Sequence, residues 1–289
     1  MKLLFTIPDD SVNVSNQYLQ VLEMTKVLQN KVDFFVLVEK KYPVLLRLLI
    51  ILYARLKGYK KAFIYYSYSS LIFAKLFCFK TYFWHCYWQL KTDYLLILCL
   101  KLADCLVTGT KIMAQKYKEI YKIDNIKILP SWINLEVFEV KKAKNKKKTI
   151  LFCGRNSLSK GVDWLAEISK KIAIKIVFDV PNRDIPRLLS EADLLISPSR
   201  GEGFPRIIIE AMAAGIPFVT TNVGGINNIT TRLQKRYLVN FGDTNNLILR
   251  CKEILSDENV YRNLVADGKN QVKKYEIIKV GKKFYNLFI

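Results

Sequence analysis

The chain is predicted to fold as an α/β protein of two doubly wound parallel-sheet domains facing a central cleft. Short apolar runs alternate with amphipathic helical stretches, and this pattern occurs twice. A lysine-rich stretch, KKAKNKKK at 141–148, separates the two arrays as a polar joint. The length of 289 residues also suits two domains. Parallel sheets of this kind bind ligands at the carboxyl ends of their strands, and a cleft between two domains is a natural site.

In the first array, residues 3–7 (LLFTI) read as a strand, and Tyr18, Val21, Leu22, Thr25 and Leu28 follow at helical spacing. Residues 32–38 are strand-like and 43–56 helical. Residues 62–66 and 81–84 read as buried strands, 94–103 as a helix, and 105–107 and 126–129 as short strands. The second array runs strand 149–153, helix 162–170, strand 174–178, helix 185–190 and strand 194–197. Helix 206–214 follows, closed by Gly215 with Pro217 beyond, a normal stop signal. Strand 218–221, a turn at 222–225 and a helical tail from Thr244 complete it. The domains are expected at 1–140 and 141–272, with a helix at 273–289 packing back on the first.

A hydrophobic content of 51% is enough to bury sizeable cores, which sets the chain apart from disordered sequences. The net charge of +21 attracts anions in general: nucleic acid, anionic membrane or phosphorylated small molecules. Residues 1–148 hold 25 Lys and Arg against 11 Asp and Glu, a net of +14 of that +21. Six scattered cysteines without a C-x-x-C pair read as buried reduced thiols of a cytosolic protein. The start, MKLLFTIPDD, is too short and too soon acidic for a signal peptide. The longest apolar run, 44–56, is interrupted by Arg47 and Arg55 and is too short to span a bilayer. Residues 40–61, KKYPVLLRLLIILYARLKGYKK, admit two readings: a core helix with solvated lysines, or an in-plane contact with anionic lipid.

Four segments can carry chemistry. GRNSLSKG at 154–161 joins a strand end to a helix start. Gly154 allows a sharp turn, and Arg155 and Lys160 make a diphosphate clamp beside the helix N-terminus. The plainer reading is a basic surface loop. RGEGFPRIIIEAMAAG at 200–215 places Glu202 in a glycine-flanked loop and Glu210 on an apolar helix with no base nearby in sequence. Eight residues of helix separate two groups by roughly 12 Å, which suits gripping two ends of one elongated ligand better than an acid–base pair. The plainer reading makes Glu202 a helix-dipole partner and Glu210 a structural acid. TTNVGGI at 220–226 ends a strand in two glycines, Gly224 and Gly225, which let the backbone approach a ligand or simply turn. His85, the only histidine, lies in FWHCYW just after a strand. With one histidine and no D-x-D, neither a histidine cluster nor a dedicated acidic magnesium site is expected.

Together these pieces resemble the retaining nucleotide-sugar glycosyltransferases of family 4, which have the GT-B architecture of two Rossmann-like domains. SPSRGEGFPRIIIEAMAAGIPFVTTNVGGI (197–226) is similar to the family's E-x7-E motif with its flanking EGFP, EAMA, G-x-P and GG elements. FCGRNSLSKGVDWL (152–165) resembles its G-R-x4-K-G segment, ILPSWINLEVF (128–138) its interdomain stretch, and residues 241–264 its carboxy-terminal helices. The resemblance covers about 126–289. It implies that Arg155 and Lys160 hold the donor diphosphate and that Glu210 binds the ribose hydroxyls. It implies further that Glu202 contacts the transferred sugar with the amides of Gly203 and Phe204 nearby, that Gly154, Gly224 and Gly225 border the donor pocket, and that His85 stands near the sugar. Three family features are missing. PDDSVNVSNQ (8–17) replaces the glycine-rich loop, KIVFDVPNRDIPRLL (175–189) bypasses a strand–helix unit, and Ser131-Trp132 stand in place of Asn-Gly.

The expected activity is retaining, metal-independent transfer of a hexose-type sugar from a nucleoside diphosphate to an acceptor hydroxyl. The expected setting is cell-surface or lipid-linked glycan synthesis, cytoplasmic or peripheral on the inner membrane face. No cofactor is expected beyond the nucleotide-sugar donor. The partners are that donor, a glycan or lipid-linked acceptor and an anionic membrane surface at 40–61, and nucleic acid is not expected. The alternatives are a basic nucleic-acid-binding protein, a catalytically inactive GT-B binding protein and a GT-B sugar-nucleotide epimerase.

Overall fold

A computed structural model describes residues 1–7, 16–86, 93–140 and 147–289, with the backbone alone for 16–20. The readings at 8–15, at the end of FWHCYW and in most of the lysine-rich joint therefore lie outside the described residues. The chain divides into two compact units, Met1–Pro130 with Ile277–Ile289, and Ser131–Glu276.

The first unit alternates β1 (Lys2–Ile7), α1 (Asn16–Leu28), β2 (Asp33–Val38), α2 (Val44–Leu56), β3 (Lys61–Tyr65) and α3 (Tyr68–Leu76). It continues with β4 (Lys80–Trp84), α4 (Tyr94–Leu102), β5 (Cys105–Thr108), α5 (Lys111–Tyr121) and β6 (Ile126–Ile128). Its sheet is parallel, in the order β2-β1-β3-β4-β5-β6. Helices α2 to α5 bury Ile51, Leu71, Leu100 and Tyr117 against one face, which supplies Leu4, Ile64, Phe83 and Leu106. The opposite parity, Phe5 and Phe63, meets Phe284 from a helix at the end of the chain.

The second unit runs β7 (Ile150–Gly154), α6 (Val162–Ser169), β8 (Lys175–Phe178), α7 (Ile185–Ser190), β9 (Leu194–Ser197) and α8 (Arg206–Ala214). Then come β10 (Phe218–Thr221), α9 (Ile226–Ile229), β11 (Leu238–Val239), α10 (Thr244–Ser256) and α11 (Glu258–Val272). The last helix, α12 (Ile277–Asn286), belongs to the first unit and crosses α1. Gly281 permits that crossing, since a Cβ there would lie 3.3 Å from a Val27 methyl carbon. The second sheet is parallel in the order β11-β10-β9-β7-β8 and is buried on both faces at β7, β9 and β10, while the edge strand β8 is largely exposed. Along β7, Ile150 and Phe152 join one core and Leu151 and Cys153 the other, as the two-residue period of a strand requires.

The division between units falls at Pro130/Ser131, ahead of the expected joint at 140/141. Ile133 and Phe138 are already packed into the second unit's core, and the Ile133 amide donates to the Tyr275 carbonyl at 2.9 Å. The sequence reading also passes over α3, α5 and β11. The thiol expectation holds for Cys99, Cys105, Cys153 and Cys251, which are buried, but Cys78 is exposed at the end of α3. Among the described residues, no helix is long and apolar enough to cross a membrane.

Candidate active site

The second sheet reverses its winding at β7. The chain passes from β7 outward to β8, then crosses to β9 on the other side of β7. The carboxyl ends of β7 and β9 therefore border the topological switch point, the crevice where sheets of this kind bind ligands. Residues 154–161 leave β7 here, and residues 198–205 leave β9.

The two loops are tied together closely. Gly161 takes φ +72°, and a Cβ at this position would lie 1.9 Å from the Pro198 carbonyl oxygen, so only glycine fits between the loops. The Arg200 amide donates to the Ser159 carbonyl at 2.9 Å, and Arg200 Nη1 to the Leu158 carbonyl at 2.7 Å. The Arg200 guanidinium also pairs with Asp163 and covers the Phe241 ring at 4.4 Å. This pairing holds the exposed Asp163 carboxyl at about 2.

At the centre, Lys160 Nζ donates to Glu202 Oε1 at 2.6 Å, and the Ser199 hydroxyl donates to the same oxygen at 2.7 Å. Glu202 is 7% exposed. Its backbone carbonyl accepts from the Gly225 amide at 2.8 Å, which brings the glycine pair after β10 against the same loop. Gly224 has φ +54°, and Gly203, Gly224 and Gly225 are all buried. Gly154 ends β7, and Arg155 beside it is exposed. Phe204 is half-buried, edge-on to the Tyr275 ring.

Helix α8 runs from Arg206 to the left-handed cap at Gly215, as its stop signals require. Glu210 lies in its second turn, 2% exposed. The sequence reading found no base near Glu210. The structure corrects this: Arg206, one turn earlier, donates from Nη2 at 3.0 Å and from Nε at 3.3 Å. The i, i+4 spacing was the signal for the pair, and the apolar run between the two residues obscured it. Arg206 Nη1 is buried without a partner among the described residues. Glu210 also lies near β7, where burial and the Glu210 charge push the Cys153 thiol up to about 12.

Lys160, Glu202, Gly203, Gly224 and Gly225 thus meet around one set of loops, flanked by Gly154, Arg155, Phe204 and Glu210. His85 belongs to the first unit, directly after β4. It is 2% exposed, its Nδ1 is 2.6 Å from the Tyr117 hydroxyl, and burial lowers its pKa to about 4.

Fold and site together define a class: two parallel-sheet α/β Rossmann-like domains of the GT-B type. The chain superposes on sucrose-phosphate synthase from Thermosynechococcus elongatus with a TM-score of 0.82, covering 100% of this chain and 98% of that one. At 16% identity that likeness is one of fold. Residues 135–271 match the family model of glycosyl transferases group 1. N-acetyl-alpha-D-glucosaminyl L-malate synthase of Bacillus anthracis is 32% identical over 98 residues, 34% of this chain and 26% of that protein. UDP-Gal:alpha-D-GlcNAc-diphosphoundecaprenol alpha-1,3-galactosyltransferase of Escherichia coli is 30% identical over 102 residues, 33% and 26% of the two chains. These matches span about a quarter of each relative's length.

Proposed function

We propose that the chain is a retaining glycosyltransferase that moves a sugar from a nucleoside diphosphate to an acceptor hydroxyl. The observation that carries the proposal is the Lys160–Glu202 pair at the β7/β9 switch point, with Arg155 open beside it and Glu210 behind. The difficult event in such a transfer is departure of the diphosphate. Arg155 and Lys160 stabilise the charge that develops on it, the kind of preorganised electrostatic help that usually contributes most. An ammonium has three donors, so Lys160 can keep Glu202 while giving another N–H to a phosphate oxygen. In this reading Glu202 receives a sugar hydroxyl near the amides of Gly203 and Phe204, and Glu210 holds the ribose.

Retention without a covalent intermediate fits the groups at hand. Cys153, with its pKa near 12, stays a thiol and is a poor nucleophile. Glu202 Oε1 is already engaged by Lys160 and Ser199. The acceptor hydroxyl therefore attacks on the face that the diphosphate leaves. Positive charge comes from side chains, and the reading asks for no metal. The acceptor class is a glycan or lipid-linked glycan in polysaccharide synthesis at the cytoplasmic face of a membrane. The Escherichia coli relative supports that class, since its name specifies a UDP-sugar and a diphosphoundecaprenol-linked acceptor.

Donor turnover by Lys160→Ala and Glu210→Ala tests this function across a panel of nucleotide sugars. Each is expected to lose about 100-fold or more in kcat/KM. Wild-type turnover in both folded variants would refute the function.

A further inference from the structure

Helix α2 is apolar apart from Arg47 and Arg55, yet it buries only Ile51 and Ala54. A helix of that composition ordinarily lies wholly inside protein or against lipid. Its outer stripe is Leu45, Leu49, Tyr53 and Leu56, with Leu45 and Leu56 each 78% exposed. Their spacing of four, four and three residues puts them on one side of the helix. The surface does not end with α2. Helix α3 packs against α2 and α4 against α3. Leu76 at the end of α3 is 65% exposed, and α4 adds Leu98 and Tyr94, the latter 90% exposed. One face of the first unit thus carries a row of outward apolar side chains over three neighbouring helices.

The charge along α2 and its flanks has one sign, while the acids beside the rest of the row, Asp93 and Asp104, cap α4 and pair with Lys75. Residues 40–61 contain seven Lys and Arg and no Asp or Glu. Arg47 is neutralised by Glu39 at 2.7 Å, and Arg55 Nε donates to the Phe77 carbonyl. Lys57 and Lys60 are exposed at the carboxyl end of α2. A second copy of the same basic surface would repel this one, whereas anionic lipid satisfies both the apolar row and its lysines. Thirteen residues of helix extend roughly 20 Å and cannot span a bilayer, so α2 lies in the plane of the surface.

We infer that the outer face of α2, α3 and α4 docks on an anionic lipid surface, with Leu45, Leu49 and Leu56 entering the headgroup–acyl boundary and Lys57 and Lys60 meeting lipid phosphates. The inference goes beyond glycosyl transfer and is read without donor or acceptor, so the two fail separately.

Sedimentation of the full chain with vesicles of phosphatidylcholine, alone or mixed equally with phosphatidylglycerol, tests it at low and high salt. Wild type is expected to bind the mixed vesicles selectively and to release in part at high salt. A Leu45→Gln, Leu49→Gln, Leu56→Gln variant with unchanged circular dichroism is expected to bind at least about tenfold more weakly. A Lys57→Glu, Lys60→Glu variant is expected to lose the preference for phosphatidylglycerol. No preference for anionic vesicles in wild type, or triple-variant binding equal to wild type, would overturn the assignment. A dimer that the triple variant dissolves, without vesicle binding, would overturn it in favour of a second copy.

Discussion

Lys160 and Glu202 are both largely removed from solvent and already bonded to each other, so neither is a bare buried charge. An incoming diphosphate adds to an existing network, and this limits its cost of desolvation. Arg206 does the same for Glu210, whose side chain is 3% exposed and would be expensive to bury alone. The glutamates and Lys160 were legible as chemistry because acids and glycines stand out in an apolar stretch. Their pairing was not, because Lys160 and Glu202 are 42 residues apart and only the sheet order brings them together. His85 gives a residue-scale prediction. An unfolded imidazole takes its proton near 6.5 and the folded one near 4, so between those values the unfolded chain binds more protons. This contribution is complete above about pH 6.5 and is lost as pH falls towards 4, a total of about 3 kcal/mol. His85 is the only histidine, so the part of the window above the carboxylate range belongs to it. Urea denaturation is expected to show about 1 kcal/mol less stability at pH 5.5 than at pH 7, and His85→Gln should flatten the difference. An unchanged slope in that variant would assign the effect elsewhere.

Among the elements, those with a strong apolar period or a run bounded by glycine and proline were readable, as α8 between Pro205 and Gly215 illustrates. Helix α3 was hidden by its nine-residue length and its weak apolar period, and β11 by its length of two residues. Helix α5 was readable in principle. Thr110 caps it by accepting from the Met113 amide, and Met113, Tyr117 and Tyr121 recur every four residues. The helix α12 shows how a late element completes an early core. Phe284 is fully buried, with ring centroids 6.0 Å from Phe5 and 5.0 Å from Phe63. Phe284→Ala is expected to cost about 3–5 kcal/mol by chemical denaturation. A cost below about 1 kcal/mol, the range of surface changes, would mean that α12 does not seal this core.

At the scale of the molecule, the two units divide the sequence's signals between them. The second holds the glycosyl transferases group 1 match and the paired charges at the switch point. The first holds most of the excess positive charge and the outward apolar row. The central claim is that the loops after β7 and β9 bind a nucleoside diphosphate. Calorimetric titration of nucleoside diphosphates, UDP first and then ADP, GDP and dTDP, into wild type and Lys160→Ala tests it most directly. At least one is expected to bind wild type. Loss of the charge-assisted contact should weaken that binding by about 10- to 100-fold in Lys160→Ala. Wild type that binds none of the four, or a folded Lys160→Ala that binds as tightly as wild type, would contradict the account.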